Sequence, residues 1–217
     1  MRLLTLFFVI LSFSYNSQAQ VTVSGRYVTN NSDVFDLNYG FDQALNKGFE
    51  VGLGYWFRLK NKRLEFTPEV SYTFLSGSSS DVTGSSINFN SNILIYALDF
   101  HSDCDACPTF SKEGGLIKKG FHWIVNPSVS RVNSTNTENT TPSPNPIISE
   151  FDFTTWRLGL GAGLDIGVTN LLTLSPFAMI HFGGTQSIEV LAPETDFRYR
   201  QVHIGVRSTW RFDKDKW

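Results

Sequence analysis

An all-β fold, an eight-stranded antiparallel up-and-down transmembrane β-barrel, is expected from three features of this 217-residue chain. Residues 201–212 alternate without a break: Val202, Ile204, Val206, Ser208, Trp210 and Phe212 carry no charge, whereas Gln201, His203, Gly205, Arg207, Thr209 and Arg211 are polar or small. A period of two is strand spacing. The run is longer than the usual globular strand of about five or six residues and suits the roughly 9–11 that a tilted strand needs to cross a bilayer. The same pattern recurs along the chain. Finally, no apolar run after residue 19 approaches the roughly 18 residues of a membrane helix, and a closed barrel is the other structure that satisfies every backbone group in lipid.

The first element is set aside from the fold. Arg2 is followed by an apolar run from Leu3 to Phe13, and Ser17, Gln18 and Ala19 place small residues at a cleavage position. That is the layout of a cleavable signal peptide over 1–19, with a single barrel domain over 20–217. Removing Arg2 leaves 17 basic against 20 acidic side chains, about −3. Mild acidity excludes a basic nucleic-acid footprint.

Eight alternating segments follow. Residues 21–28 form the first. Residues 49–59 set Phe49, Val51, Leu53, Tyr55 and Phe57 against Glu50, Gly52, Gly54, Trp56 and Arg58; residues 64–74 set Leu64, Phe66, Val70, Tyr72 and Phe74 against Glu65, Thr67, Glu69, Ser71 and Thr73. In 87–100, Ile87, Phe89, Ile93 and Ile95 oppose Asn88, Asn90 and Asn92, and the end is apolar on both faces. In 121–132, Trp123, Val125 and Val129 oppose His122, Asn126, Ser128 and Ser130. Residues 154–166 set Trp156, Leu158, Leu160, Ala162 and Leu164 against Arg157, Gly159, Gly161, Gly163 and Asp165. Residues 172–182 oppose Leu172, Leu174, Ala178, Ile180 and Phe182 to Thr173, Ser175, Phe177, Met179 and His181, and 201–212 is the eighth. Pro68, Pro127 and Pro176 fall inside three of these strands, where a bulge is the expected accommodation.

The links alternate in length. Residues 60–63 and 167–170 are tight turns, whereas 30–48, 75–86, 133–150 and 183–199 are long and polar. Short periplasmic turns and long external loops are the layout of an outer-membrane barrel. An even strand count puts both termini on the short-turn side, and only 101–120 breaks the rule. The stretch 133–150 is Thr/Asn/Pro-rich and reads as a low-complexity external loop.

Alternation does not say which face is inside. A lipocalin-like soluble barrel would turn the apolar face inward. Three features favour the inverse. The polar face is rich in glycine; it carries opposite charges in Arg26, Glu50, Glu65, Glu69, Arg157, Asp165 and Arg207, which can form a lumen network; and aromatics gather at strand ends (Tyr55, Phe57, Tyr72, Phe74, Phe121, Trp123, Trp210, Phe212) as interfacial girdles do. On the lipid face, only Asp99 and Arg131 carry charge in this reading.

The run Cys104-Asp105-Ala106-Cys107-Pro108-Thr109-Phe110-Ser111-Lys112, the restart Lys119-Gly120-Phe121 and the strand Gly159-Leu160-Gly161-Ala162-Gly163-Leu164-Asp165 resemble small outer-membrane barrels of the OmpA and OmpX type. They are similar in particular to PorT-like barrels of Bacteroidota. Trp210-x-Phe212 resembles the end-strand signal read by the barrel assembly machinery, although Asp213 to Trp217 follow it. The resemblance covers about 48–212 and implies an architecture rather than an activity.

Cys104 and Cys107 are a candidate disulfide in an oxidising compartment. A redox role lacks its thioredoxin-like context, and zinc would need ligands from His101, Asp103 or Asp105. His122, His181 and His203 face the polar side with Ser128, Ser130 and Ser175, but no motif links serine to histidine. The expectation is therefore a non-enzymatic outer-membrane protein with a structural or interaction role, and no catalytic, cofactor or metal residues. Its partners would be outer-membrane lipid, the assembly machinery during biogenesis and an unidentified envelope protein. The alternatives are a lipid-modifying hydrolase or acyltransferase and a secreted soluble ligand binder.

Overall fold

Strands with an apolar and a polar face enclose the polar one and leave no unpaired edge by closing into a ring, and the computed structural model has that closure. It describes residues 20–32, 45–58, 63–77, 82–99, 117, 120–138, 147–169, 171–185 and 198–211. The expected leader at 1–19, Cys104, Cys107 and Phe212 lie outside the described residues. The strands are β1 (Gln20–Ser32), β2 (Leu45–Arg58), β3 (Leu64–Gly77), β4 (Val82–Ile95), β5 (Phe121–Glu138), β6 (Ile147–Leu164), β7 (Leu172–Thr185) and β8 (Arg198–Arg211). A two-residue continuation, Ile166–Gly167, follows β6. Each strand pairs antiparallel with the next, and β8 returns to β1 from Gln20↔Arg211 to Ser32↔Tyr199.

The registers fix the barrel's shape. One circuit of paired residues runs Asn133, Ser85, Phe74, Phe49, Tyr27, Ile204, Ala178, Ala162 and back to β5 at Trp123. It returns ten residues from its start, so the shear is ten. At roughly 3.3 Å per residue and about 4.8 Å between strands, this sets a tilt of about 40° and a backbone radius of about 8 Å. Such a bore is filled by side chains.

The apolar face looks outward. Leu53 is 63% exposed, Ile87 60% and Ile204 59%, whereas Arg26, Glu50 and His181 are at 1%, 0% and 0%. A soluble barrel would show the reverse, so lipid is the solvent this exterior fits. Phe57 stacks on Phe66 at 5.1 Å and Phe121 meets Trp123 edge-on at 5.2 Å near the end where β1 begins and β8 ends, the terminal end of the described barrel. Tyr72 and Phe74 meet edge-on at 4.7 Å toward the other end. With about 2.5 Å of axial rise per residue, the two aromatic rings bound a belt about 25 Å tall, the height of an outer-membrane barrel's apolar band.

The observed strands depart from the alternation in one direction. β1, β2, β3, β4, β6, β7 and β8 begin or end beyond their expected limits at the end away from the termini, and β5 reaches Glu138. The expected loop 133–150 is largely a paired hairpin, Asn133↔Asp152 to Glu138↔Ile147, because backbone pairing continues where the side chains no longer alternate. Strand four stops at Ile95 rather than 100, and Ala97–Asp99 is a 3-10 turn. The longer strands also add Lys47, Asp152 and Arg200 to Arg131 on the exposed exterior.

No bulge forms at the prolines. Pro68, Pro127 and Pro176 each pair normally on one side. On the other side the ladder skips two residues and resumes in the same register, as from Gly54↔Glu69 to Phe57↔Phe66. A missing donor costs one local gap, since the proline ring fits an extended backbone. The described register shift lies elsewhere, between Leu45 and Lys47. The tight turn after β6 is as expected: Val168 N–H donates to Leu172 O at 2.9 Å, and Thr169 Oγ1 accepts from Leu172 N–H at 3.0 Å.

Candidate functional site

The lumen is where this chain concentrates its polar chemistry, and glycine makes the room. A Cβ at Gly159 would overlap the His181 ring, one at Gly163 would meet His122 Nε2, and one at Gly205 would meet Arg26 Cβ. At Gly52 it would lie 2.7 Å from Ser24 Oγ and Glu69 Oε1. Large inward side chains thus sit opposite glycine on a neighbouring strand. Gly159→Ala is expected to cost about 1–3 kcal/mol by overpacking. Adding His181→Ala should recover part of that loss, with a coupling of about 0.5–3 kcal/mol in a double-mutant cycle; additive effects would contradict the contact.

All seven charged residues expected in the lumen are buried there, and Arg63 joins them. Among the described residues the buried set holds four arginines (Arg26, Arg63, Arg157, Arg207) and four carboxyl residues (Glu50, Glu65, Glu69, Asp165), equal in number. The residues fall into two groups. Toward the charged rim, Arg26 pairs with Glu69 and lies 3.4 Å from Glu50 Oε1. Ser24 Oγ donates to Glu69 Oε2 at 2.8 Å, Ser71 Oγ donates to Glu50, and Asn90 Nδ2 donates to Ser71 Oγ at 2.8 Å. Arg157 donates to Gln201 Oε1 at 2.7 Å, Ser128 Oγ at 3.1 Å and Asn88 Oδ1 at 3.2 Å. Thus Arg157 reaches three neutral acceptors, where alternation suggested a carboxylate.

Near the termini, Trp56 Nε1 donates to Glu65 Oε2 at 2.7 Å, and Tyr96 Oη lies 2.9 Å from the same oxygen and 2.5 Å from Asp165 Oδ2. Ser175 Oγ donates to Asp165 Oδ1 at 2.5 Å, and the Arg63 guanidinium stacks 4.3 Å above the Tyr96 ring. Between the groups sits an apolar cluster, Leu94, Tyr96, Ile124, Phe177 and Met179. Alternation placed Phe177 and Met179 inward but left Leu94 and Tyr96 unassigned, because both faces of strand four's end are apolar, and left Ile124 on strand five unassigned as an apolar residue on the polar face. The space beside Arg207, Glu65 and Asp165 measures about 10 Å³, room for about one water. Eight strands and these side chains leave no passage for a solute there.

The histidines also lie in the lumen. His181 and His203 meet edge-on at 4.2 Å, His203 Nε2 lies 3.0 Å from Gln201 Oε1, and His122 Nδ1 lies 3.1 Å from Gly120 O. None of these described contacts joins a histidine to a serine hydroxyl, the first requirement of a hydrolase of this kind. No metal-binding cluster of His, Cys, Asp or Glu occurs among the described residues.

The arrangement defines a class: a closed eight-stranded antiparallel membrane barrel with an apolar exterior and a filled polar lumen. No known protein family matches the sequence, and no curated protein matches it. Among solved structures, Neisserial surface protein A is similar with a TM-score of 0.50 at 14% identity, over 90% of this chain and 98% of that one. The N-terminal β-barrel domain of Pseudomonas aeruginosa OprF is similar at 0.43 and 14% identity, over 90% of this chain and 100% of that one. Ail, the attachment invasion locus protein of Yersinia pestis, aligns at 0.42 and 8% identity over 89% and 99%. At these identities the first likeness speaks for the fold alone.

Proposed function

We propose that this chain is a non-enzymatic integral protein of the outer membrane, exported by its leader, that serves as a rigid scaffold for surfaces presented at the two membrane faces. The observation that carries the reading is the inversion of its faces: apolar residues outside in a belt of bilayer height, and a lattice of arginines and carboxyl residues in equal number inside. The filled bore argues against a diffusion channel and against a soluble ligand binder, which would need a cavity. The inward histidines argue against lipid chemistry at the exterior. Kinship with PorT-like barrels of Bacteroidota is the finer reading, and rests on the residue motifs alone. The β5–β6 hairpin rises beyond the other strands and is the surface best placed to meet an envelope partner.

Fractionation of cells expressing the full chain tests the proposal. The protein should stay with the outer membrane through an alkaline wash and run at a different mobility in SDS before and after boiling, as closed barrels do when their ladder survives detergent. Recovery from the periplasm without detergent, or one mobility under both conditions, would overturn it.

A further inference from the structure

Among the described side chains, the basic residues of the exterior lie at one height only. Walking the registers from the shear of ten places Lys47 on β2, Arg131 on β5 and Arg200 on β8 within about 2 Å of one level, about 5 Å beyond the mean height of the upper aromatic ring. Arg131 is already neutralised: its Nε lies 3.1 Å from both oxygens of Asp152, and its Nη2 makes the salt bridge. Asp152 is the one outward-facing acid among the described side chains. Lys47 and Arg200 are both exposed, and neither makes an ion pair with another described residue.

The two sit on either side of β1. Lys47 pairs with Thr29, Thr29 pairs with Val202, and Arg200 is two residues further toward the rim on the same strand. Their Cα atoms are about 12 Å apart by strand spacing and rise, close enough for two long side chains to converge over the exposed Thr29. Immediately below, on the belt side, lie Tyr27, Phe49, Phe182 and Ile204, all strongly exposed. Cations above an apolar wall at the membrane boundary match a molecule with a phosphate on top of acyl chains. An arginine fork and an ammonium suit the two sides of one phosphate.

We propose that Lys47, Thr29 and Arg200 form a docking site for the phosphate of a phosphorylated lipid in the leaflet away from the termini, its acyl chains lying along Tyr27, Phe49 and Ile204. The inference rests on the membrane reading above and adds a preferred headgroup to it. The Arg131–Asp152 pair, whose arginine lies at the same height, serves as an internal control because its charge is already satisfied.

The test uses the full mature chain in phosphatidylcholine vesicles with or without bisphosphorylated lipid A, with retention of that lipid read by native mass spectrometry after detergent extraction. Lys47→Ala with Arg200→Ala should lower retention about thirtyfold, at about fivefold for each basic residue beside an anionic surface. Arg131→Ala with Asp152→Ala should leave it unchanged. Equal retention by wild type and the Lys47/Arg200 variant, or equal retention of dephosphorylated lipid A, would overturn the site while leaving the barrel reading intact. Failure of the wild type to insert into either vesicle would overturn both. Because both substitutions lie on the exposed rim, the heat-dependent mobility shift serves to show that each variant has folded.

Discussion

Arg26→Met destabilises the barrel by about 3–5 kcal/mol, the expected result of leaving buried charge without its partner. Arg26 is 1% exposed and bridges Glu69 and Glu50, which sit on β3 and β2. Methionine fills similar space but returns nothing to the two carboxylates. Ser24 and Ser71 donate one hydrogen bond each, to Glu69 and Glu50 respectively, and neither supplies charge. The loss should therefore be repaired at its source: adding Glu50→Gln and Glu69→Gln to Arg26→Met removes the unpaired anions and should recover most of the stability. The pair is then a device of specificity as much as of stability. Unfolding by urea in lipid vesicles reads both variants. A cost below about 1 kcal/mol for Arg26→Met, or no recovery in the triple variant, would mean that water reaches this part of the lumen. Arg131→Met, at the exposed exterior pair, should leave the midpoint where it was.

Much of this fold is legible in the chain because lipid imposes a strict period on it. Within the belt, outward residues are uncharged and mostly apolar, so Phe49, Val51, Leu53, Tyr55 and Phe57 mark β2 without help from other strands. Beyond the belt that constraint lapses. Asn30 to Ser32 on β1, Ser76 and Gly77 on β3, and Thr83 to Ser85 on β4 continue their ladders with residues that are polar or small on either face, so alternation stops before pairing does. The same lapse hid the β5–β6 hairpin inside a segment whose composition reads as loop.

The lumen was legible in membership but not in pairing. The parity of each strand sends Arg26, Glu50, Glu69 and Arg207 inward, yet which of them meet depends on a shear that only the closed ring defines. Arg157 illustrates the limit. Its acceptors Gln201, Ser128 and Asn88 come from three other strands, and no local spacing relates them. Arg63 was missed because it lies in a turn, and Tyr96 because it follows an apolar run. The sequence signal that could have found Tyr96 is its position two residues after Leu94 and four after Asn92, on the inward parity.

The orientation of the faces has its sharpest test at the waist of the belt. Leu53 is four residues from Phe57 and four from Phe49 on β2, hence about midway between the two aromatic rings. It is also among the most exposed apolar residues, at 63%. In water such a position tolerates almost anything, and an exposed leucine replaced by arginine would shift stability by no more than about 0.5 kcal/mol. In a bilayer the same position is the costliest place for charge, and Leu53→Arg should lose about 2–4 kcal/mol. Leu53→Val should be nearly silent, since acyl chains refill the space that a core would leave empty. Unfolding in lipid vesicles separates these outcomes, and a quencher carried at mid-chain of the lipid should reach a label at Leu160 or Val206 on β6 and β8. A tolerated arginine at 53 together with an unquenched label would place these side chains against water or protein, and the belt, the inward lattice and the rim site would lose their common basis.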